Sequence, residues 1–343
     1  MIKVLVIDDS AVMRAFMGRV VASQPDMELV AVAADPVLAI DRIRLKSPDV
    51  ITLDVEMPRM NGLDFLRKLM SVRPLPVIMI SSLTREGADI TLRALELGAV
   101  DFFAKPANLA ELEGSVHEIA EKIRAAGLAR VVRHRAVAPQ RPVAPIVRAQ
   151  GAAASDRVIA IGASTGGVEA LREILVRLPE RMPPILIAQH MPPGFTETFA
   201  RRLNSMCQMG VCEAVDGQAA CHGMAYIAPG GRHLTLARRT GGYVLKVTDE
   251  PPVNRHRPSV DPLFRSIARV AGSRGIGVML TGMGADGADA MLELMKSGAH
   301  TIAQDEATSV VFGMPRQAIA VGAVREVLPL GEMAQRLEAL AAA

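Results

Sequence analysis

Three short segments of this chain carry side chains that together could perform acyl transfer. Gly162-Ala163-Ser164-Thr165-Gly166 fits G-x-S-x-G, a spacing that puts a serine on a tight turn between a strand and a helix. Glycines let the backbone turn sharply there, and the helix N-terminus favours a developing anion. Taken alone, the loop admits three readings: a nucleophile turn, a phosphate or dinucleotide cradle, or simple packing. A serine nucleophile needs a base, and the base needs an orienting carboxylate. His190 follows the apolar run 185–189, and Asp286 lies in the glycine-rich turn after the run 275–282. If those runs are parallel strands, Ser164, His190 and Asp286 all stand at carboxyl ends, which favours the nucleophile reading. The chain order Ser, His, Asp differs from the α/β-hydrolase order, in which a histidine follows the acid. Only His300 follows Asp286, and it begins a strand instead of ending one. His256 lies between Arg255 and Arg257. Those charges depress its pKa, so it reads as a structural or substrate-positioning residue and not as the base.

A second constellation suits phosphoryl chemistry. Asp8 and Asp9 close the run 2–7, Asp54 closes 49–53, Ser81 ends 76–81, and Lys105 follows 100–104. Each acid alone would read as a helix N-cap or loop residue. Gathered at one sheet edge, three carboxylates repel unless a hard cation sits among them, and Mg²⁺ suits such oxygen ligands. An aspartate carboxylate can attack phosphorus and form an acyl phosphate, while the metal, Lys105 and a hydroxyl offset charge on the transferred group.

The elements that must hold these residues are legible as alternating short apolar runs and helix-like stretches. Over the first ~125 residues the runs 2–7, 28–34, 49–53, 76–81 and 100–104 are nearly continuous and rich in β-branched residues, as strands covered on both faces should be. Helical segments such as 62–70 and 87–97 separate them. Such βα units predict a five-stranded parallel, doubly wound sheet, with ligands at the strand carboxyl ends. The second region repeats the style with runs at 157–162, 185–189, 275–282 and 300–304, and alternation with turn glycines over 224–247 predicts an antiparallel hairpin. The expected architecture there is a three-layer α/β/α domain with a mostly parallel sheet.

Composition bounds the rest. The 343 residues are 50% hydrophobic and 22% charged, enough for two cores and incompatible with a disordered chain. Stretches free of charge, such as 182–196, are shorter than a spanning helix and broken by prolines. The early Asp8 and Asp9 argue against a secretory signal. Cys207, Cys212 and Cys221 are an odd set without metal-like pairing. They read as small apolar fillers in a reducing, cytoplasmic setting. Aromatics are scarce at 3%, with no Trp, which argues against stacking platforms for nucleic acid. Net charge is −3 over residues 1–126, +4 over 127–156 and +2 over 157–343. The middle segment, with Pro139, Pro142 and Pro145, reads as an interdomain linker and not as a nucleic-acid footprint.

Residues 1–125 resemble a response-regulator receiver domain, through Asp8-Asp9, Asp54 within TLDVEMPRMNG, Ser81 and Lys105-Pro106. The resemblance implies that Asp54 accepts the phosphoryl group from a sensor histidine kinase. It also implies that Asp8, Asp9, Asp54 and the Glu56 backbone carbonyl hold Mg²⁺, that Ser81 and Lys105 draw in, and that Phe102 holds the aromatic switch position. Residues from ~157 to 335 resemble the catalytic domain of the chemotaxis protein-glutamate methylesterase family, through IGASTGG at 161–167, QHMPPGFT at 189–196, YIAPGGRH at 226–233, NRHRPSVD at 254–261, LTGMGADG at 280–287 and VFGMPR at 311–316. That resemblance implies hydrolysis of glutamate γ-methyl esters, and deamidation of glutamines, on methyl-accepting chemoreceptors. Ser164, His190 and Asp286 would act as a triad without a cofactor, and the backbone N–H groups of Thr165 and Met283 would be oxyanion donors.

The division expected is therefore 1–126 receiver, 127–156 linker and 157–343 esterase, in a cytoplasmic protein without nucleic-acid partners or membrane insertion. The rival reading is a receiver joined to a nucleotide- or partner-binding module, which should not react with serine-directed acylating or phosphonylating agents. A DNA-binding output is weaker, because no short recognition helix follows the linker. A docked receiver that covers Ser164 until Asp54 is phosphorylated completes the expectation.

Overall fold

The computed structural model describes residues 1–57, 60–82, 84–106, 109–129 and 156–342. The apolar runs of the first region become β1 (Ile2–Ile7), β2 (Met27–Ala33), β3 (Val50–Asp54), β4 (Val77–Ser82) and β5 (Asp101–Lys105). They form a parallel sheet in the order β2-β1-β3-β4-β5. Because side chains alternate along a strand, Leu5 and Ile7 face one core with Ile43, Leu66 and Leu92. Val4 and Val6 face another with Phe16, Val20 and Ile123. Helices therefore cover both faces, as the near-continuous apolar strands require.

The second region contributes β6 (Val158–Ala163), β7 (Ile185–Gln189), β8 (Gly210–Glu213), β9 (Met224–Ile227), β10 (His233–Arg239), β11 (Gly242–Thr248), β12 (Gly275–Met279), β13 (His300–Gln304) and β14 (Glu326–Leu328). Seven of these form a sheet in the order β14-β13-β12-β6-β7-β9-β8, with every neighbouring pair parallel. Ile159 and Ile161 face a core with Leu171, Phe199 and Leu337. Val158 and Ala160 face the other layer with Phe264 and Met291. The antiparallel hairpin is β10–β11 alone. The stretch expected to start it, 224–227, instead pairs in parallel with β7 and β8 as β9. β8 and β14, four and three residues long, are edge strands too short to show a period. The helix Val116–Leu128 runs two residues into the expected linker, of which 130–155 lie outside the described residues. No helix among the described residues is long and apolar enough to cross a membrane.

Both sheets reverse strand order at a point that opens a crevice above the strand ends. In the first sheet β1 and β3 flank it, so Asp8, Asp9 and Asp54 line it. In the second, β6 and β12 are neighbours from opposite halves of the chain, so the loop bearing Ser164 lies beside the loop 280–287.

Candidate active site

Ser164 is fixed from both sides before its hydroxyl does anything. Its N–H donates to Thr281 O at 3.0 Å, and its carbonyl accepts from Gly167 N at 2.7 Å and Gln189 Nε2 at 3.0 Å. Thr281 Oγ1 donates to Thr165 O at 2.9 Å. Two glycines permit the approach. Gly166 has φ 79°, and a Cβ there would lie 2.6 Å from Val310 Cβ. A Cβ on Gly282 would lie 2.7 Å from Ser164 Cβ.

His190 leaves β7 with its N–H on Ala163 O at 3.1 Å. Its ring bridges the other two residues: Nδ1 lies 3.2 Å from Ser164 Oγ, and Nε2 lies 2.8 Å from Asp286 Oδ2. Asp286 is buried. It also accepts from Asn254 Nδ2 at 2.8 Å, Ser259 Oγ at 2.7 Å and Val260 N at 2.7 Å. Burial alone would raise its pKa, but the His190 hydrogen bond and charge, with Asn254 and Ser259, outweigh that and hold it well below the ordinary carboxylate range. An ionised carboxylate only accepts, so Nε2 carries a ring proton, and in the neutral ring Nδ1 presents its lone pair to Ser164. Asp286 lies beyond the end of β12 at Met279, in the loop before the helix Ala288–Lys296. Among the described residues, neither the Thr165 nor the Met283 backbone N–H has a protein acceptor.

The residues that hold Asp286 are not singled out by type or spacing. Asn254, Ser259 and Val260 all come from the NRHRPSVD stretch at 254–261. Asn254 and Arg255 occupy a two-residue turn with φ 53° and 67°, closed by Val253 N to His256 O at 3.1 Å and His256 N to Val253 O at 2.9 Å. The turn lays the His256 ring on that of His190, with centroids 3.7 Å apart and planes 14° apart. The depressed pKa expected for His256 holds, at about 3, but the cause is different. Burial comes first and the His190 charge second, while Arg255 is a minor contributor.

In the first sheet, Asp8, Asp9 and Asp54 offer oxygen atoms within 4.8 Å of one another. Lys105 Nζ lies 2.7 Å from Asp54 Oδ2 and 3.3 Å from Asp8 Oδ2, yet the buried Asp8 Oδ2 makes no hydrogen bond. Burial, then Asp8, push the Asp54 pKa up to about 6 against the pull of Lys105. A crowded, under-satisfied set of hard oxygens is what a divalent cation would relieve, so these residues fit Mg²⁺. Glu56 N donates to Asp54 Oδ1 at 3.4 Å, which keeps Glu56 beside the set. Ser81 is buried, and its hydroxyl donates to Gly87 O at 3.2 Å.

Phe102 is not on a free surface. Its ring stacks on Phe195 of the second region, with centroids 4.5 Å apart. Around it Thr165 Oγ1 donates to Asp101 Oδ2 at 2.6 Å, Lys122 pairs with Asp101 at 3.1 Å, and Arg202 pairs with Glu96 through two contacts of 2.7 and 2.5 Å. Arg255 Nη1 reaches His117 Nε2 at 2.6 Å. Asp101 and Phe102 lie over Ser164 and His190, leaving a cavity of about 20 Å³. That has room for about one water and none for a glutamyl ester side chain.

Both regions of the chain have known relatives. Residues 159–337 match the family model described as CheB methylesterase, and residues 4–117 match the response regulator receiver domain. Protein-glutamate methylesterase/protein-glutamine glutaminase 3 of Burkholderia lata is 55% identical over 349 residues, covering 98% of this chain and 95% of that protein. The protein-glutamate methylesterase/protein-glutamine glutaminase of Pectobacterium atrosepticum is 56% identical over 339 residues, covering 98% and 96%. The crystal structure of the Thermotoga maritima CheB methylesterase catalytic domain superposes with a TM-score of 0.53 at 40% identity, over 54% of this chain and 98% of that one. With identity that runs through both regions and a shared catalytic-domain fold, the chain belongs to the CheB methylesterase family, in the form that carries a receiver domain.

Proposed function

We propose that residues 157–343 hydrolyse glutamate γ-methyl esters on methyl-accepting chemoreceptors and deamidate receptor glutamines, and that residues 1–126 regulate them by phosphorylation, in the cytoplasm. The observation that carries this reading is the His190 ring held between Ser164 Oγ and Asp286. Ser164 Oγ attacks the side-chain carbonyl and its proton passes to His190 Nδ1. Asp286 stabilises the imidazolium that forms. The tetrahedral oxyanion takes hydrogen bonds from the Thr165 and Met283 N–H groups. Its collapse breaks the C–O bond of an ester, or the C–N bond of an amide, and His190 returns the proton to departing methanol or ammonia. Water then attacks the acyl-enzyme, with His190 again as base, and releases a glutamate carboxylate and free Ser164. These steps use protein groups and water alone.

Asp54 accepts the phosphoryl group from a sensor histidine kinase. Asp8, Asp9, Asp54 and the Glu56 carbonyl would hold Mg²⁺, which would offset repulsion between the attacking carboxylate and the phosphoryl oxygens. Lys105 then pairs with the new charge, Ser81 turns from Gly87 toward it, and the surface around Phe102 repacks. The receiver so loosened uncovers Ser164. Methanol release from methylated receptor, with and without a phosphodonor, tests both halves. The rival binding module is tested by a serine-directed phosphonylating agent, which should label Ser164 of the esterase and leave a mere binding loop unmodified.

A further inference from the structure

Two in-plane hydrogen bonds fix where the edges of the His190 ring point, but they do little to resist tilt out of that plane. Tilt is set by whatever lies on the ring's faces. One face is occupied by His256, at 3.7 Å and 14°. The same short turn that delivers His256 also delivers Asn254 to Asp286 Oδ1 and Asp261 Oδ2. Both of its central residues, neither of them glycine, hold positive φ, a conformation that persists only where its surroundings demand it. The turn therefore grips the base and its carboxylate partner at once.

We propose that His256 is a positioning residue for hydrolysis, its ring serving as a flat platform that holds the His190 imidazole in the plane reaching both Ser164 and Asp286. The proposal rests on the serine-esterase reading and deepens it. A platform under a ring that becomes cationic should itself stay uncharged, since a second cation at this distance would oppose proton transfer from Ser164. The charged and titratable groups facing His256 are His190 after β7, Asp286 in the loop after β12, Lys122 on the receiver helix Val116–Leu128, and Arg255 in its own turn. Burial, His190, Lys122 and Arg255 favour the neutral ring, and only Asp286 opposes them. A neutral aromatic face against an imidazolium is attractive, so the contact strengthens as the proton moves.

The test measures two rates on the full chain treated with a small phosphodonor and Mg²⁺, so that the receiver no longer covers Ser164: phosphonylation of Ser164 by a fluorophosphonate, which needs no receptor, and methanol release from methylated receptor. His256→Ala should slow phosphonylation about 10- to 100-fold, the scale of a misplaced catalytic group, and lower kcat with KM little changed. His256→Phe keeps a flat ring without titrating nitrogens and should stay within about threefold of wild type. If the alanine variant does not fold, His256→Leu fills the space without a flat face and should fall about fivefold or more below His256→Phe. A reactive wild type matched within threefold by His256→Ala or by His256→Leu overturns the positioning role and leaves the esterase reading standing. Equal losses in His256→Phe and His256→Ala also overturn it, because the imidazole itself would then be required. A wild-type chain that leaves Ser164 unmodified overturns the esterase reading and the platform with it.

Discussion

Two buried aspartates on the same side of two parallel sheets have been driven in opposite directions. Asp54 ends β3 and Asp286 lies in the loop after β12, each beside a switch in strand order, and both are almost inaccessible to water. Burial, and then the neighbouring Asp8, raise the Asp54 pKa to about 6 against the pull of Lys105. Asp286 meets burial with hydrogen bonds from His190, Asn254, Ser259 and Val260, so its charge is held. The fold supplies the location, while the donors around it decide whether a carboxylate waits for a cation or is ready without one. The esterase site is preorganised. The receiver site gathers its carboxylates around Lys105, an arrangement that a divalent cation would complete.

The largest effect should come from breaking the preorganised side. Ser164→Ala or His190→Ala should each cost about 10³- to 10⁶-fold in methanol release, with the double variant little worse, because such residues act as a unit. Circular dichroism should show both variants folded, and activity within tenfold of wild type in either would end the triad assignment.

On the waiting side, labelling by a small phosphodonor should require Mg²⁺ and vanish in Asp54→Asn. Mass spectrometry of the intact chain reads this directly. Equal labelling in a chelator would mean that the crowded oxygens are not a metal site.

The two sides meet at the covered crevice. Glu96→Ala removes the paired contacts to Arg202, which are only partly exposed, and should weaken docking by about 1 kcal/mol. The unphosphorylated full chain should then release methanol roughly three- to tenfold faster, within the span of a coupling energy of this kind. A fragment of residues 150–343, which lacks Glu96, should be faster than the intact unphosphorylated chain; if it is no faster, the docked receiver does not restrain the esterase.

The smallest effect concerns pH. His256 has a folded pKa of about 3, below its ordinary 6.5, so between those values the unfolded chain binds a proton that the folded chain refuses. Its contribution to stability is complete above about pH 6.5 and is lost as pH falls toward 3. Allowing for its partial exposure, about 1 kcal/mol should be lost by pH 5, a Tm change of about 2–4 °C. His256→Phe should show a correspondingly flatter Tm between pH 7 and 5, and parallel curves would show that His256 titrates normally in the folded chain.

Much of this was legible from local pattern. The strands of both sheets follow from nearly continuous apolar runs, since a strand covered on both faces has no polar side to interrupt it. The strand-end positions of Asp8, Asp54, Ser164 and His190 follow from the same runs. Short edge strands such as β14 were not legible, because three residues carry no period, and the first four residues of the expected hairpin went to the large sheet because β7 offered them a parallel partner. The orienters of Asp286 stand in the NRHRPSVD stretch, whose local pattern does not reveal what its side chains reach. Only folding shows that a two-residue turn with positive φ at Asn254 and Arg255 brings Asn254 and His256 onto two different members of the site. His256 shows the limit most clearly. Its neighbours in sequence are arginines, and they suggest the direction of its pKa shift for a minor reason. The larger causes, burial and the His190 ring, come from parts of the chain that meet only in three dimensions, where solvation and through-space charge are set by what packs nearby and not by what is adjacent in sequence.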